Sequence, residues 1–221
     1  MKNIIILALL SLSLSSNIIM VGDSRTYLLA QYLFPIFQGN YPAITTTEPV
    51  YYGKHSVRFD CMPGATIYDF TSDKPLGQFL DNLVKVSPGA YVFLWVGVNN
   101  VAVQNGIRDT FNRYFELAQK NPQVNFIIFS IPGVNEQLLA GHHSANNILI
   151  AKFNAYMKAM VAYYHPVLPN LGYGNFMNEV NPTYTLDGKN IYPYLDAIGI
   201  HFDAEACKYF FEQMIKFLPD N

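Results

Sequence analysis

The sequence has little of three features that often identify a class of protein. Two cysteines, Cys61 and Cys207, occur in 221 residues, which is too few for a disulfide scaffold and leaves open one bridge or two free thiols. Charged residues make up 14% of the chain and the net charge is −2, so there is no basic excess to bind nucleic acid. The apolar run at residues 4–14 is too short to span a bilayer, and we do not expect stable membrane insertion.

The first sixteen residues have the pattern of a signal peptide. Lys2 supplies a positive charge, residues 4–14 are apolar, and small serines follow up to Ser16. The pattern predicts a secreted or extracytoplasmic protein with residues 1–16 removed. The alternative is that residues 3–14 belong to the fold, because cleavage near Ser16 would leave almost nothing before the first strand.

Apolar and aromatic side chains are abundant. Hydrophobic residues make up 51% of the chain and aromatic residues 15%, which predicts that residues 17–221 form one globular domain with a large core. The sixteen tyrosines and sixteen phenylalanines pack in the core and on the surface, or some of the tyrosines line a groove for carbohydrate.

Strand-like and helix-like patterns alternate along the chain. Strands are predicted at residues 17–21, 56–61, 90–96, 124–131 and 167–171, and helices at residues 24–34, 76–84, 107–120, 148–164 and 203–218. The intervening residues 35–55, 134–147 and 172–200 look irregular. Such alternation predicts an α/β fold with a parallel sheet covered by helices on both faces. Ligands of such sheets bind at the carboxyl ends of the strands.

One strand-to-helix turn carries a serine where a nucleophile would be placed. The apolar run that begins at Asn17 stops at Gly22-Asp23-Ser24, and a helical pattern follows at once. Backbone N–H groups at the start of a helix point toward whatever such a serine attacks. Ser24 is therefore the candidate nucleophile, and Asp23 is expected to fix the turn by accepting from local N–H groups.

Three later residues could supply what acyl transfer needs besides a nucleophile, namely a base and donors to the developing oxyanion. His201, just before the last predicted helix, could take the proton of Ser24. The N–H of Ser24, the N–H of Gly64 and the side-chain amide of Asn99 form the candidate oxyanion hole. Each residue alone is more simply a turn or surface residue, but all of them fall where a strand end or a late loop is expected.

This order of residues resembles the SGNH hydrolases, also called the GDSL esterase/lipase family. The resemblance rests on Val21–Arg25 as the nucleophile block, Gly64 as the glycine block, Gly97–Asn100 as the Gly-x-Asn-Asp block and Ile198–His201 as the histidine block. It implies a flavodoxin-like, three-layer α/β/α sandwich with a five-stranded parallel sheet in the order 2-1-3-4-5. It also implies a serine hydrolase mechanism that needs neither a metal nor another cofactor, and ester or acyl-sugar substrates.

The histidine block departs from the family pattern. The position three residues before His201, where the family has an aspartate, holds Ile198, which cannot orient an imidazole. Asp196 could replace the missing acid if the loop bulges, or a backbone carbonyl could accept the ring N–H. A third possibility is that activity is weak or lost.

Weaker candidates surround these residues. Arg25 could hold a substrate carboxylate or pair with an acid on the surface, and Asn100 could bind substrate or stiffen the loop of Asn99. The adjacent histidines His142 and His143 have no ligand-type residues at a suitable spacing, so a metal site is not expected.

Together these features predict a serine esterase that acts on small O-acyl groups, with acetyl groups on carbohydrate as one example. One alternative is a lipid or thioester acyl hydrolase with the same machinery. Another is a binding protein that kept the fold after losing the acid.

Overall fold

The fold is built around a mostly parallel sheet. A computed structural model describes residues 15–139, 144–175, 185–186, 189–190 and 199–219. The strands are β1 (Asn17–Gly22), β2 (Ile44–Thr45), β3 (Val50–Tyr52), β4 (His55–Cys61), β5 (Tyr91–Trp95), β6 (Asn125–Phe129), β7 (Leu171–Gly174), β8 (Thr185–Leu186) and β9 (Lys189–Asn190). The helices are α1 (Ser24–Leu33), α2 (Pro75–Lys85), α3 (Gly106–Lys120), α4 (Glu136–Leu139), α5 (Asn147–Tyr164) and α6 (Ala204–Ile215).

Five parallel strands form the centre of the sheet in the order β4-β1-β5-β6-β7. Counted along the chain these are strands 2-1-3-4-5, as predicted. The central strands β1 and β5 are apolar on both sides, and Ile18–Val21 and Val92–Leu94 are almost completely buried. Such burial is expected of parallel strands covered by helices on both faces, and the three-layer α/β/α architecture is confirmed.

Two parts of the sheet differ from the prediction. The last parallel strand is β7 at Leu171–Gly174 and not residues 167–171. The chain after α5 first makes a turn in which Val167 and Leu168 donate to the carbonyl of Tyr164. Residues 35–55, predicted to be irregular, contain β2 and β3, which pair antiparallel with β4 at the edge of the sheet. Strands of two or three residues depend on an existing edge for their hydrogen bonds, so the sequence alone carries no pattern for them.

The structure also bears on the start of the last helix, on the state of the two cysteines and on part of the N-terminal segment. The helix predicted from residue 203 begins there as α6, and Asp203 is its N-cap, since its side chain accepts from the N–H of Ala206 at 2.9 Å. The two cysteines are buried free thiols, which decides between the two states left open. Most of the predicted signal peptide lies outside the described residues. Ser16 is described and accepts a backbone hydrogen bond from Ser56 at 3.1 Å.

None of the helices in the described part of the chain is both long enough and apolar enough to cross a membrane.

Asp60, near the end of β4, is a buried acid that no hydrogen bond compensates. It is 0% exposed, and neither of its carboxyl oxygens has a hydrogen-bond partner. Burial raises its pKa well above the usual 3.8 because the charged form is poorly solvated there. At pH values between the unfolded and the folded pKa, the folded protein therefore holds a proton on Asp60 that the unfolded chain has released.

We expect Asp60→Asn to raise the free energy of unfolding at pH 7, because the amide is neutral without taking up a proton, whereas burying Asp60 costs about 1.4 kcal/mol for each pH unit between its unfolded and its folded pKa. Because the folded pKa is raised, wild-type stability should fall as the pH rises above about 4, and the variant should lack this slope. Urea denaturation between pH 4 and pH 8 measures both effects. The exposed Glu48 provides the control variant Glu48→Gln, which should follow the wild type. An equal pH slope in Asp60→Asn and wild type would contradict the prediction.

Candidate active site

The turn between β1 and α1 fixes Ser24 at the first position of the helix. The side chain of Asp23 caps the helix, with Oδ1 accepting from the backbone N–H of Arg25 at 3.0 Å. Gly22 allows the helix to pack closely on the strand, because a Cβ at this position would lie 1.7 Å from the hydroxyl oxygen of Thr26. Ser24 is only 8% exposed. The sequence Gly-Asp-Ser-Arg-Thr thus folds into a tightly packed turn with the serine at the helix N-terminus.

The imidazole of His201 lies against the hydroxyl of Ser24. Its Nε2 is 2.9 Å from Oγ, although 177 residues separate the two along the chain. This distance is within the range over which a base can take a proton from a nucleophile. His201 precedes the N-cap of α6, Asp203, by two residues, so the segment leading into the last helix carries the imidazole to the carboxyl edge of the sheet.

The structure also brings together the loops of Gly64 and Asn99. Nδ2 of Asn99 donates to the carbonyl of Ala65 at 2.9 Å, which orients the amide and ties the loop after β5 to the loop after β4. Gly64 has a φ of +75°, and a Cβ added there would meet no atom within 4 Å. A left-handed backbone beside open space suits close approach by a ligand. Because β4 and β5 flank β1, these two loops lie on either side of the strand that leads to Ser24.

Asp23 connects the nucleophile turn to the loop of Asn99. Its Oδ2 accepts from the N–H of Gly97 at 3.4 Å, while Oδ1 accepts from Arg25. Burial raises the pKa of Asp23, and the positive charge of Arg25 acts in the opposite direction. Fixing local N–H groups is the role that the sequence predicted for this carboxylate.

Arg25 does not fit either role considered from the sequence. It is 2% exposed, and its guanidinium donates to three backbone carbonyls: Nε to Ile200 at 3.0 Å, Nη1 to Pro132 at 2.8 Å and Nη2 to Gly133 at 3.1 Å. The guanidinium carbon also lies 4.9 Å from the ring centre of Phe202. A side chain enclosed in this way is placed to join segments of the protein, and it does not lie on the surface, where a substrate carboxylate or an acid was expected to meet it.

Asn100 is also placed differently from the substrate-binding prediction. It is 0% exposed, and its Oδ1 accepts from the N–H of Ile67 at 3.0 Å. Its backbone N–H donates to Gly97 at 2.8 Å. A side chain buried in this way presents no surface to a ligand, so the structure gives no support to the substrate-binding prediction. The contacts agree with the alternative that Asn100 stiffens the loop of Asn99.

Several predicted residues lie outside the described residues. These are the candidate acid Asp196, the departure from the family pattern at Ile198, and the histidine pair His142 and His143. The role of Asp196 stays a prediction. In the part of the chain that the structure describes, no group of three His, Cys, Asp or Glu residues is arranged to hold a metal ion.

Sequence reasoning missed two asparagines on α5 that hold the turn after β6. Asn154 donates to the carbonyl of Ile131 at 3.0 Å and accepts from its N–H at 2.8 Å. Asn147 makes the same pair of bonds with Val134, each at 2.9 Å. Both asparagines are buried. The available signal was their seven-residue spacing on the side of the helix that is otherwise apolar.

Comparison with known proteins identifies the fold. No family model and no curated protein matches the chain, but solved structures match nearly its whole length. A member of the lipolytic protein G-D-S-L family from Veillonella parvula has 13% identity and a TM-score of 0.56, covering 92% of this chain and 98% of that one. The lipase/acylhydrolase from Enterococcus faecalis has 15% identity and a TM-score of 0.52, covering 91% and 94%. The catalytic domain of a peptidoglycan O-acetyltransferase from Streptococcus pneumoniae has 13% identity and a TM-score of 0.52, covering 91% and 92%.

The chain has the SGNH hydrolase fold. At these identities the likeness establishes the architecture and leaves the chemistry to be argued from the residues. In this SGNH fold, Ser24 follows the central strand β1. Gly64 and Asn99 lie in the loops after β4 and β5, and His201 lies in the segment before α6.

Proposed function

We propose that the protein is a serine esterase that forms an acyl-enzyme at Ser24. The observation that carries the proposal is the 2.9 Å contact between the imidazole of His201 and the hydroxyl of Ser24. A hydroxyl is a weak nucleophile on its own, and an adjacent base activates it. The structural neighbours named as a lipase/acylhydrolase and as an O-acetyltransferase domain support chemistry at an acyl group.

In the proposed reaction, Oγ of Ser24 attacks the ester carbonyl carbon while Nε2 of His201 takes the hydroxyl proton. The electron pair of the carbonyl moves to its oxygen. The backbone N–H groups of Ser24 and Gly64 and the side-chain amide of Asn99 stabilise this oxyanion. The ester bond then breaks, and His201 returns the proton to the departing alcohol. A water molecule repeats the sequence on the acyl-enzyme and releases the acid.

We propose short O-acyl esters as substrates, with acetyl groups on carbohydrate as the leading example. The peptidoglycan O-acetyltransferase domain among the neighbours favours an acetyl group. The apolar segment at residues 4–14 leads us to propose that the enzyme acts outside the cytoplasm. Lipid and thioester acyl groups are the alternatives that the same machinery could cleave.

A fluorophosphonate probe tests the proposed nucleophile directly. Wild-type protein should be labelled and should hydrolyse p-nitrophenyl acetate, whereas Ser24→Ala should not be labelled and should keep only a residual rate of hydrolysis. Among the described residues, the hydroxyl of Ser24 hydrogen-bonds to His201, so loss of this small group should leave the thermal unfolding midpoint of the variant near that of the wild type. Labelling that persists in Ser24→Ala would place the nucleophile elsewhere.

Hydrolysis of p-nitrophenyl esters of different chain length separates the proposed substrate classes. A preference for p-nitrophenyl acetate over the palmitate ester supports a short acyl group, and the reverse preference would indicate a lipid acyl hydrolase. Folded wild-type protein that is neither labelled nor active would contradict the esterase and favour a binding protein.

A further inference from the structure

Arg25 combines complete burial with a fixed set of contacts, which is unusual for an arginine. Arginine is almost never fully buried unless it is paired, and taking its charge out of water is costly. Here the cost is offset by three carbonyl acceptors from Ile200, Pro132 and Gly133 and by the ring of Phe202. The guanidinium therefore links the segment that contains Ile200 to the segment that contains Pro132 and Gly133.

One of the three carbonyls belongs to the residue before His201. Arg25 itself is the residue after Ser24, in the first turn of α1. The contacts therefore close a ring of short links: Ser24 to Arg25 through a peptide bond, Arg25 to Ile200 through Nε, Ile200 to His201 through a peptide bond, and His201 back to Ser24 through Nε2. A shift of the guanidinium would move the peptide that carries the imidazole.

The other two carbonyls belong to a turn that is itself well fixed. Pro132 and Gly133 lie between Ile131 and Val134, each of which is held by a pair of hydrogen bonds from an asparagine of α5. The next residue, Asn135, donates its N–H to the carbonyl of Gly199 at 2.8 Å. The segment before His201 is thus attached to this turn directly at Gly199 and through Arg25 at Ile200.

We propose that Arg25 is a positioning residue that sets the distance between His201 and Ser24. It acts by locking the His201 segment to the turn after β6. Its effect on turnover rests on the proposed esterase function, whereas its effect on the position of the imidazole does not. A guanidinium is required because three different nitrogens donate in three fixed directions, which the single nitrogen of lysine cannot reproduce.

Arg25→Lys tests the proposal, with Arg113→Lys as the matched control. Arg113 is also buried, and it donates to the carbonyl of Phe70 at 2.7 Å and to the carboxylate of Asp81 at 2.8 Å. Within the described residues its hydrogen bonds do not include Ser24 or His201. We expect Arg25→Lys to lower kcat for p-nitrophenyl acetate by about 10²-fold, the usual cost of a 1 Å misplacement, with KM little changed. Arg113→Lys should lower thermal stability and leave kcat near the wild-type value.

NMR of the His201 ring gives a readout that needs no activity. Its resonances, assigned from a spectrum of His201→Gln, should shift or broaden in Arg25→Lys and stay in place in Arg113→Lys. Unchanged His201 resonances in Arg25→Lys would overturn the proposal. So would an equal loss of kcat in both lysine variants, or a raised KM at unchanged kcat, which would indicate direct binding of substrate.

The two proposals fail in different ways. If wild-type protein hydrolyses no ester, the esterase proposal fails while the NMR comparison still decides the role of Arg25.

A second variant is available if Arg25→Lys does not fold. Phe202→Leu removes the ring beside the guanidinium and keeps the three hydrogen bonds of Arg25. This variant should shift the His201 resonances and lower kcat only modestly, because the guanidinium loses one cation–π contact and keeps its three carbonyl acceptors. An unshifted His201 in Phe202→Leu would then count against the proposal.

Discussion

Replacing His201 by glutamine is expected to lower kcat for a short-chain ester by at least about 10⁴-fold, with KM nearly unchanged. Without the imidazole, no base lies at 2.9 Å from Oγ of Ser24 to take its proton as the bond to the acyl carbon forms. Glutamine is similar in size and polar, so the loss would report the missing base and not a cavity. Steady-state kinetics with p-nitrophenyl acetate over a range of concentrations separates kcat from KM.

The double variant Ser24→Ala/His201→Gln tests whether Ser24 and His201 act together. Residues that act as one unit are strongly non-additive, so the double variant should be no slower than Ser24→Ala alone. A further large decrease in the double variant would mean that the two residues act independently. Thermal unfolding of all three variants shows whether any loss follows from misfolding.

Replacing Asn99 by alanine is expected to lower kcat by about 10²- to 10³-fold, which is the usual effect of removing one oxyanion donor. The amide is held in place by its contact with Ala65 at 2.9 Å, beside the loop of Gly64. Since the negative charge on the substrate oxygen exists only after attack, KM should change little. The affinity for a boronic acid, which forms a tetrahedral anion on the serine, should fall by a similar factor.

Asn170 provides a control for the structural part of this effect. Its Nδ2 donates to the carbonyls of Ala118, Asn121 and Val124, so Asn170→Ala should lose stability at unchanged kcat. A loss of activity in Asn99→Ala that appears in KM, with unchanged boronate affinity, would exclude Asn99 from the oxyanion hole.

Much of the fold could be predicted because its pattern is local. In an α/β protein, a continuous apolar run such as Val92–Leu94 predicts a central strand that helices cover on both faces. Reliance on local pattern also explains the wrong position of the last strand, which was predicted to begin at Val167 because Val167 and Leu168 are apolar. They follow a helix, and an apolar pair cannot show by itself whether the chain extends or turns back on Tyr164.

The site was predictable to the extent that residue type decides the role. A serine at a strand-to-helix turn and an asparagine after a central strand could be selected by their chemistry. The roles of Arg25 and Asn100 could not be judged from residue type, because burial decides what each side chain can contact. No local sequence pattern predicts that the carbonyls of Pro132, Gly133 and Ile200 all accept hydrogen bonds from the guanidinium of Arg25.

The sequence by itself determined the order of strands and helices and the chemical groups available at the strand ends, because hydrophobic periodicity and residue type are properties of short segments. The tertiary structure alone decided that the imidazole at position 201 meets the hydroxyl at position 24. It also decided that the arginine beside that hydroxyl faces inward. Contacts between residues more than a hundred positions apart arise from the packing of the whole sheet and its helices, which no short segment specifies.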